Sequence, residues 1–405
     1  MPKLLQLNAS VGRGSTGRIA ETIAALAAER GWECRIAHGS RYVGKSLMGT
    51  YQVSDRMTEI AHYAKSVLID AQGLGSVRAT KRLVEWIKSL RPDVIQIHNL
   101  HGYWVNYEIL FQHLTDAGIP VVWTFHDCWA ITGHCAMFTS SFCDKWQTEC
   151  RECPHLDWYP KSILLDRSKR NFHRKRELFT SMPNMTVVSV SNWLNNIVEQ
   201  SFLKDTPHRV IANGVDTHVF YPRTESVGKT REKYGLGDKI VVLSVADKWN
   251  EGIGFSDIPK LRESLDDRFA IVVGGVTQSL KEALPKGVTG ILHTNSREEL
   301  AELYTAADIS FTPQTVATFG LVSAESMACG TPAVVYAAAA AEVIDNNGFV
   351  VPARDVPQLA ETILKFAEDG GKERFVSSCV ERVRKEYEER TNYSKYVDLY
   401  DSLIQ

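Results

Sequence analysis

The chain lacks any run approaching the ~18 consecutive apolar residues that a membrane-spanning helix requires, so nothing in it is expected to cross a bilayer. It also lacks an excess of one charge. Forty-six basic side chains face 48 acidic ones, a formal net charge of −2, and that balance does not suggest a nucleic-acid-binding protein. No export leader is expected either. Met1-Pro2-Lys3-Leu4-Leu5-Gln6-Leu7-Asn8 turns polar too soon and has the look of a first strand. Together these absences place the chain in the cytoplasm. No pair of aspartates marks a catalytic metal site, so no catalytic metal is expected.

What is present is length and apolar content. At 405 residues, 44% of them hydrophobic, the chain is too long for one typical core, and two domains of roughly 200 residues are the natural division.

The first strand leads into Ala9-Ser10-Val11-Gly12-Arg13-Gly14-Ser15-Thr16-Gly17-Arg18 and then a helix expected over 19–30. Gly12, Gly14 and Gly17 have G-x-G-x-x-G spacing, which lets backbone approach a phosphate at a helix start. No acidic residue ends the next strand, around Cys34 to Ala37, where a dinucleotide ribose would need one. A plain tight turn is the alternative. Helices are expected over 57–74 and 76–90, then a strand from Val94 to His98. The loop after it, His98-Asn99-Leu100-His101-Gly102-Tyr103-Trp104, sits where open α/β sheets place ligands. It suits a sugar or acceptor pocket, or a loop stapled by Tyr103 and Trp104. The strand Pro120–Phe125 ends in His126-Asp127.

Eight cysteines are present, five of them between Cys128 and Cys153. In a cytoplasmic chain such crowding points to metal before disulfide. Cys135, Cys143, Cys150 and Cys153 are separated by seven, six and two residues, and four thiolates with a C-x-x-C half-site match structural, tetrahedral zinc. Free thiols are the alternative, and Cys128 is the spare. The basic run Lys161 to Arg176 is one solvated helix face or a contact for anionic lipid headgroups. Nucleic-acid binding by the cysteines and the basic run together is opposed by the near-neutral charge.

Further on, strand and helix alternate again. Strands are expected at Thr186–Ser191, Lys239–Val245, Phe269–Gly275, Gly290–His293, Asp308–Phe311, Ala333–Tyr336 and Gly348–Val351, with helices between them. One last helix is expected over 382–403. Ala306 to Val335 is the densest stretch: a buried strand, a polar turn, and a helix opened by Phe319-Gly320-Leu321 that carries Glu325. A glutamate there can accept two hydroxyl hydrogen bonds, and the helix-start amides can face a diphosphate.

FGLVSAESMACGTPAVV, together with Ile211-Ala212-Asn213-Gly214-Val215-Asp216 and Phe220-Tyr221-Pro222, resembles family 4 glycosyltransferases, whose donor segment runs E-G-F-G-L-x-x-x-E-A-M-A-x-G-x-P-V-V. The resemblance covers nearly the whole chain. It implies the GT-B fold: two doubly wound, Rossmann-like α/β domains facing a central cleft. Domain one is residues 1–213 with a cysteine insert near 128–160, joined by a C-terminal helix near 385–405. Domain two, for the nucleotide-sugar donor, is 214–384.

The implied activity is hexosyl transfer, with retention, from a UDP- or GDP-sugar to a glycan or lipid-linked glycan in surface polysaccharide biosynthesis. The enzyme would work in the cytoplasm, at the inner membrane face where it contacts anionic lipid. By resemblance, His126 is the catalytic-centre residue over the donor sugar. Gly14, Ser15, Thr16, Gly17, Lys248, Thr318, Phe319, Gly320, Leu321 and Glu325 bind the donor. His98, Asn99, His101 and Tyr103 lie on the acceptor side. A similar cysteine insert occurs in a polysaccharide-building subgroup. Three positions depart from the pattern: Ala317 replaces the first glutamate, Ile253 the clamp lysine, and Ala337–Ala341 a glycine-rich turn. The alternative they raise is a weakened nucleotide-sugar-binding paralogue or partner subunit.

Overall fold

A computed structural model describes residues 1–138, 143–247, 249, 253–336 and 339–405. The chain divides into two units, Met1–Ala212 with Tyr393–Gln405, and Asn213–Asn392. The returning segment therefore begins at Tyr393 rather than near residue 385.

In the first unit, β1 (Lys3–Asn8), β2 (Glu33–His38), β3 (Gly49–Gln52), β4 (Val94–Ile97), β5 (Val121–Phe125), β6 (Met185–Ser189) and β7 (His208–Val210) form one parallel sheet in the order β3-β2-β1-β4-β5-β6-β7. The inner strands are apolar runs because helices cover both faces of a doubly wound sheet. Order reverses between β1 and β4, so a crevice opens beyond their carboxyl ends. One core packs the helix Gly14–Glu29 through Ile23 and Ala27 against Leu4, Val94 and Val122. Tyr393, Tyr396, Val397 and Tyr400 of the last helix join the same core.

In the second unit, β8 (Ile240–Val245), β9 (Phe269–Gly274), β10 (Val288–Ile291), β11 (Ile309–Thr312), β12 (Ala333–Tyr336) and β13 (Gly348–Val351) are also parallel, ordered β10-β9-β8-β11-β12-β13. Here the reversal lies between β8 and β11, and the polar turn 313–320 follows β11. Both sheets have the expected doubly wound architecture.

Several expected boundaries are corrected. The first helix begins at Gly14, not residue 19, so Gly14–Gly17 are its opening turn and the glycine turn proper is shorter. The helix expected to reach residue 74 stops at Ile69, because Asp70 takes a left-handed conformation (φ 49°) with its carboxylate bonded to His134 and to the Arg167 amide. The single C-terminal helix is two, Val376–Glu386 and Glu389–Leu403. They part because Val215 N–H donates to Tyr387 O at 2.7 Å and Glu389 N–H donates to Val215 O at 3.0 Å, which takes backbone groups a continuous helix would use. Gly214 has a packing role at this crossing. A Cβ there would lie 2.2 Å from Glu389 Cα. The strand expected at Gly290–His293 is shifted to Val288–Ile291, and the edge strands β3 and β7 were not anticipated.

Candidate functional site

Gln6 stands in the middle of apolar β1, fully buried, and such an amide must find partners inside. Its Nε2 donates to Ala20 O at 2.8 Å, which leaves Oε1 facing His98 Nε2, also at 2.8 Å. Oε1 only accepts, so His98 carries its proton on Nε2. His98 Nδ1 is then the acceptor for His126 Nε2–H across 2.9 Å. The two rings stack with centroids 5.2 Å apart. Burial, the largest influence, with His101 adding, pushes the His126 imidazole down to about 4 despite the neighbouring Asp127 carboxylate. His98 is lowered as well, by burial first and then by His126. Both are therefore neutral near pH 7, and the chain from Ala20 through Gln6 and His98 holds the His126 proton on Nε2.

A second polar string lies beside the first. His101 Nε2–H donates to Asp127 Oδ2 at 2.5 Å, and Tyr159 O–H bonds His101 Nδ1 at 2.9 Å. Asp127 Oδ1 accepts the Trp129 N–H at 2.8 Å. Burial alone would raise the Asp127 carboxyl, but His101 and that amide outweigh it and hold it below the usual range. His98, Asn99, His101, His126, Asp127 and Trp129 line a shallow recess beyond β4 and β5.

Asn99 is half-buried, with its N–H on Asn8 Oδ1 at 3.4 Å. Tyr103 is 4% exposed and in a left-handed conformation (φ 72°), packed edge-on against Tyr63 and Tyr159. It is not among the residues that line the recess. At the end of β1, Thr16 and Ser10 hydroxyls meet at 3.3 Å. Gly17 is a close-approach position, since a Cβ would stand 3.0 Å from Ser10 Oγ. No acidic side chain occupies the first turn of the helix Gly14–Glu29, which suits an anion there.

In the second unit, Gly320 caps the helix Leu321–Ala328 with φ 104°, and a Cβ would lie 2.7 Å from Ala340 Cβ. Glycine is required on both counts. Thr312 and Ser323 hydroxyls, 3.0 Å apart, tie β11 to this helix. Glu325 is half-buried beside Tyr304 and Cys329; burial first, and then its carboxylate, raise both of their pKa values. Phe319 is buried and packs edge-on to Tyr387 at 5.3 Å, while Thr318 and Leu321 are half-buried. Ala317 is half-buried, and Ile253 packs on the edge of the hydrophobic core that contains Trp249 and Phe311. Lys248, and Ala337 and Ala338 of the alanine run, lie outside the described residues; Ala339–Ile344 is helical.

Cys135, Cys143, Cys150 and Cys153 line one cavity. The Cys135 and Cys153 thiols hydrogen-bond to each other, which raises the first and lowers the second. Cys128 is fully buried and is not among the residues lining that cavity. Among the described residues, no three His, Cys, Asp or Glu side chains already converge as a metal-holding group. Lys175, 2% exposed, donates to Trp129 O at 2.6 Å and Thr132 O at 3.1 Å, joining the cysteine segment to the loop that carries Asp127.

Asp127, Gln6, Tyr159 and the His134–Asp70 pair were not singled out from the sequence. A glutamine inside an apolar strand was a signal for the second of these. Asp127 stood next to His126 at a strand end. Nothing local marked Tyr159 or Asp70.

Residues 14–219 match the model for Glycosyltransferase Family 4, and residues 241–369 match that for Glycosyl transferases group 1. An Escherichia coli (strain K12) protein named as a glycosyl transferase of colanic acid biosynthesis, WcaC, is 24% identical over 99% of this chain and 100% of its own length. An MMP alpha-(1->4)-mannosyltransferase of Mycolicibacterium hassiacum is 29% identical over 47% of this chain and 46% of its own. Among solved structures, a sucrose-phosphate synthase from Thermosynechococcus elongatus superposes with a TM-score of 0.74 at 16% identity, covering 100% of this chain and 99% of that one. Anabaena Alr3699/HepE, in complex with UDP and glucose, gives 0.70 at 15% identity, over 99% of this chain and 100% of that one. Two parallel α/β units, a strand-end histidine recess in one and a glutamate-bearing helix in the other are thus set in a chain that belongs to glycosyltransferase family 4, with the GT-B fold.

Proposed function

We propose that the protein transfers a hexose, with retention of configuration, from a UDP- or GDP-sugar to a glycan or lipid-linked glycan of a surface polysaccharide. One observation carries the reading. Glu325 projects from the helix after β11 at the position of the family's ribose-binding glutamate, on a helix whose glycine cap leaves its first amides for an anion. The names of relatives support the class: colanic acid biosynthesis for WcaC, GDP-mannose dependence for a Mycolicibacterium smegmatis mannosyltransferase. In this reading Gly14–Gly17 and Thr318–Leu321 serve the donor phosphates and Lys248 supplies positive charge. His126, neutral and with a fixed tautomer, meets the donor sugar. The recess of His98, Asn99 and His101, with Tyr103, is the acceptor side.

Ile253 favours a second reading. Its side chain is turned into core packing where a lysine would stabilise charge on the leaving diphosphate. Losing such a contact costs on the order of 2–4 kcal/mol in the barrier. A weakened nucleotide-sugar-binding paralogue or partner subunit follows if no other cation replaces it.

Calorimetric titration with UDP, GDP and their sugar conjugates separates the two readings. A transferase binds one conjugate in the micromolar range and slowly hydrolyses it, and Glu325→Ala weakens that binding roughly tenfold, the worth of ~1.4 kcal/mol. Binding without turnover on any glycan acceptor marks the weakened form. Absence of binding to every conjugate removes the donor-site assignment.

The acceptor side is proposed to dock on anionic lipid. Met57, Ile60 and Tyr63 are exposed on the helix Arg56–Ile69, and Ile163, Leu164 and Leu165 on a loop tied to that helix by the Ile163 N–H to Val67 O bond at 2.8 Å. Exposed Arg56, Lys161, Lys169 and Arg170 flank these apolar residues, and each basic residue near an anionic surface contributes about 1 kcal/mol. Cosedimentation with phosphatidylglycerol vesicles is expected, with little on phosphatidylcholine, and Leu164→Asp with Lys161→Glu abolishes it. Equal binding to both lipids, or none, removes this part.

A further inference from the structure

One cavity is lined by Cys135, Cys143, Cys150, Cys153, His134 and His155, together with Thr132 and Ser168. Buried polar groups that serve packing alone have their hydrogen bonds met within the protein. Two here do not. His134 is 3% exposed, and its Nε2 is buried without a partner; the Nε2 of His155 is buried and unpartnered too.

The other face of His134 is fully specified. Its Nδ1–H donates to Asp70 Oδ1 at 2.7 Å, both side chains being 1% exposed. Asp70 is itself fixed, since its Oδ2 accepts the Arg167 N–H at 2.9 Å and its O accepts Asn171 Nδ2 at 2.8 Å. The carboxylate therefore holds the proton on Nδ1 and leaves a lone pair on Nε2. A histidine that binds a metal through Nε2 needs this tautomer, and a carboxylate behind it is the usual support.

We infer that this cavity binds one zinc-class divalent cation through cysteine thiolates, with the His134 imidazole, oriented by Asp70, as its nitrogen ligand. Three thiolates complete a tetrahedron. Cys150 and Cys153 supply two of them, and Cys135 or Cys143 the third. Each ligating thiol releases its proton to solvent, and no redox step is involved. These side chains line one cavity, and metal binding requires them to turn toward a common point from their present positions. The site differs from the four-thiolate set expected from spacing in taking a nitrogen ligand. It is independent of the donor-site assignment.

The test is metal analysis by mass spectrometry and X-ray absorption on the full chain purified without chelator. About one zinc per chain is expected, with three sulfurs and one nitrogen around it. Cys150→Ser and Cys153→Ser lose the metal, and Asp70→Asn weakens its retention against a chromophoric chelator roughly tenfold or more. Of Cys135→Ser and Cys143→Ser, one loses the metal and the other keeps it. Should the serine variants fail to fold, the wild-type chain decides: its melting temperature falls on chelation and returns with added zinc. A chain that takes up no zinc and melts alike with and without chelator overturns the site. So does an intact Cys135–Cys153 disulfide found by mass. A sulfur-only shell that His134→Ala leaves unchanged overturns the imidazole ligand.

Discussion

At the scale of single residues, the histidine recess is governed by which ring nitrogen holds a proton. His98 is a positioning residue: it accepts the His126 Nε2–H and passes the requirement back to Gln6. His98→Ala leaves a buried N–H and a buried amide oxygen unpaired, at a cost of about 1–3 kcal/mol. Turnover at saturating donor is expected to fall roughly tenfold to a hundredfold, with KM for the donor little changed. Steady-state kinetics beside circular dichroism check this; an unchanged kcat in a folded variant removes the relay. The same burial sets a pH dependence. His126 titrates near 6.5 when unfolded and about 4 when folded. Below 6.5 the unfolded chain binds a proton that the folded chain does not, so stability is full above that pH and declines as pH falls toward 4. Thermal melts of the wild type from pH 7 to 4 should show this loss, shared with the buried His98 and His62, and His126→Gln should remove part of it.

At the scale of elements, the histidine recess sits beyond two strand ends and the Glu325 site at the start of a helix. Gly320 shows why residue type matters there. An alanine would adopt φ 104° against its preference and press its methyl to 2.7 Å from Ala340 Cβ. Gly320→Ala is expected to destabilise the second unit by about 2–4 kcal/mol and to weaken nucleotide binding; denaturant unfolding and calorimetry measure the two. Elements with strong periodicity, such as β8 and the helix Arg297–Ala306, were legible within a residue or two. The break at Tyr387–Glu388 was not, because its cause is Val215, far away in sequence. Nor was the early stop at Asp70, whose left-handed backbone is held by His134 and Arg167 from a distant segment.

At the scale of the whole molecule, the chain passes between its units twice, and Gly214–Val215 lies against Tyr387–Glu389 at that crossing. Burial first, and then Asp216, raise the Glu389 carboxyl to about 7 from 4.5. Between those values the folded chain holds a proton that the unfolded chain has lost, so this contribution is full below 4.5 and is lost as pH rises through 7. Glu389→Gln should raise the melting temperature at pH 8 and leave it nearly unchanged at pH 5. Scanning calorimetry at the two pH values checks it. A uniform shift at both would place the effect in packing rather than in charge.

By itself the sequence determined the alternation of strands and helices over two α/β units, the strand-end position of His126, the helix that carries Glu325, and the gathering of four cysteines in one segment. These follow from hydrophobic periodicity, turn residues and spacing, all of them local, whereas the doubly wound GT-B arrangement was what the family resemblance implied. Tertiary structure alone decided that His98 lies behind His126, that Asp127 holds His101, that Ile253 belongs to the core, and that Asp70 turns His134 toward the cysteines. Each depends on hydrogen bonds or packing between segments far apart in the chain, and the burial that makes those contacts obligatory exists only once the sheets have closed.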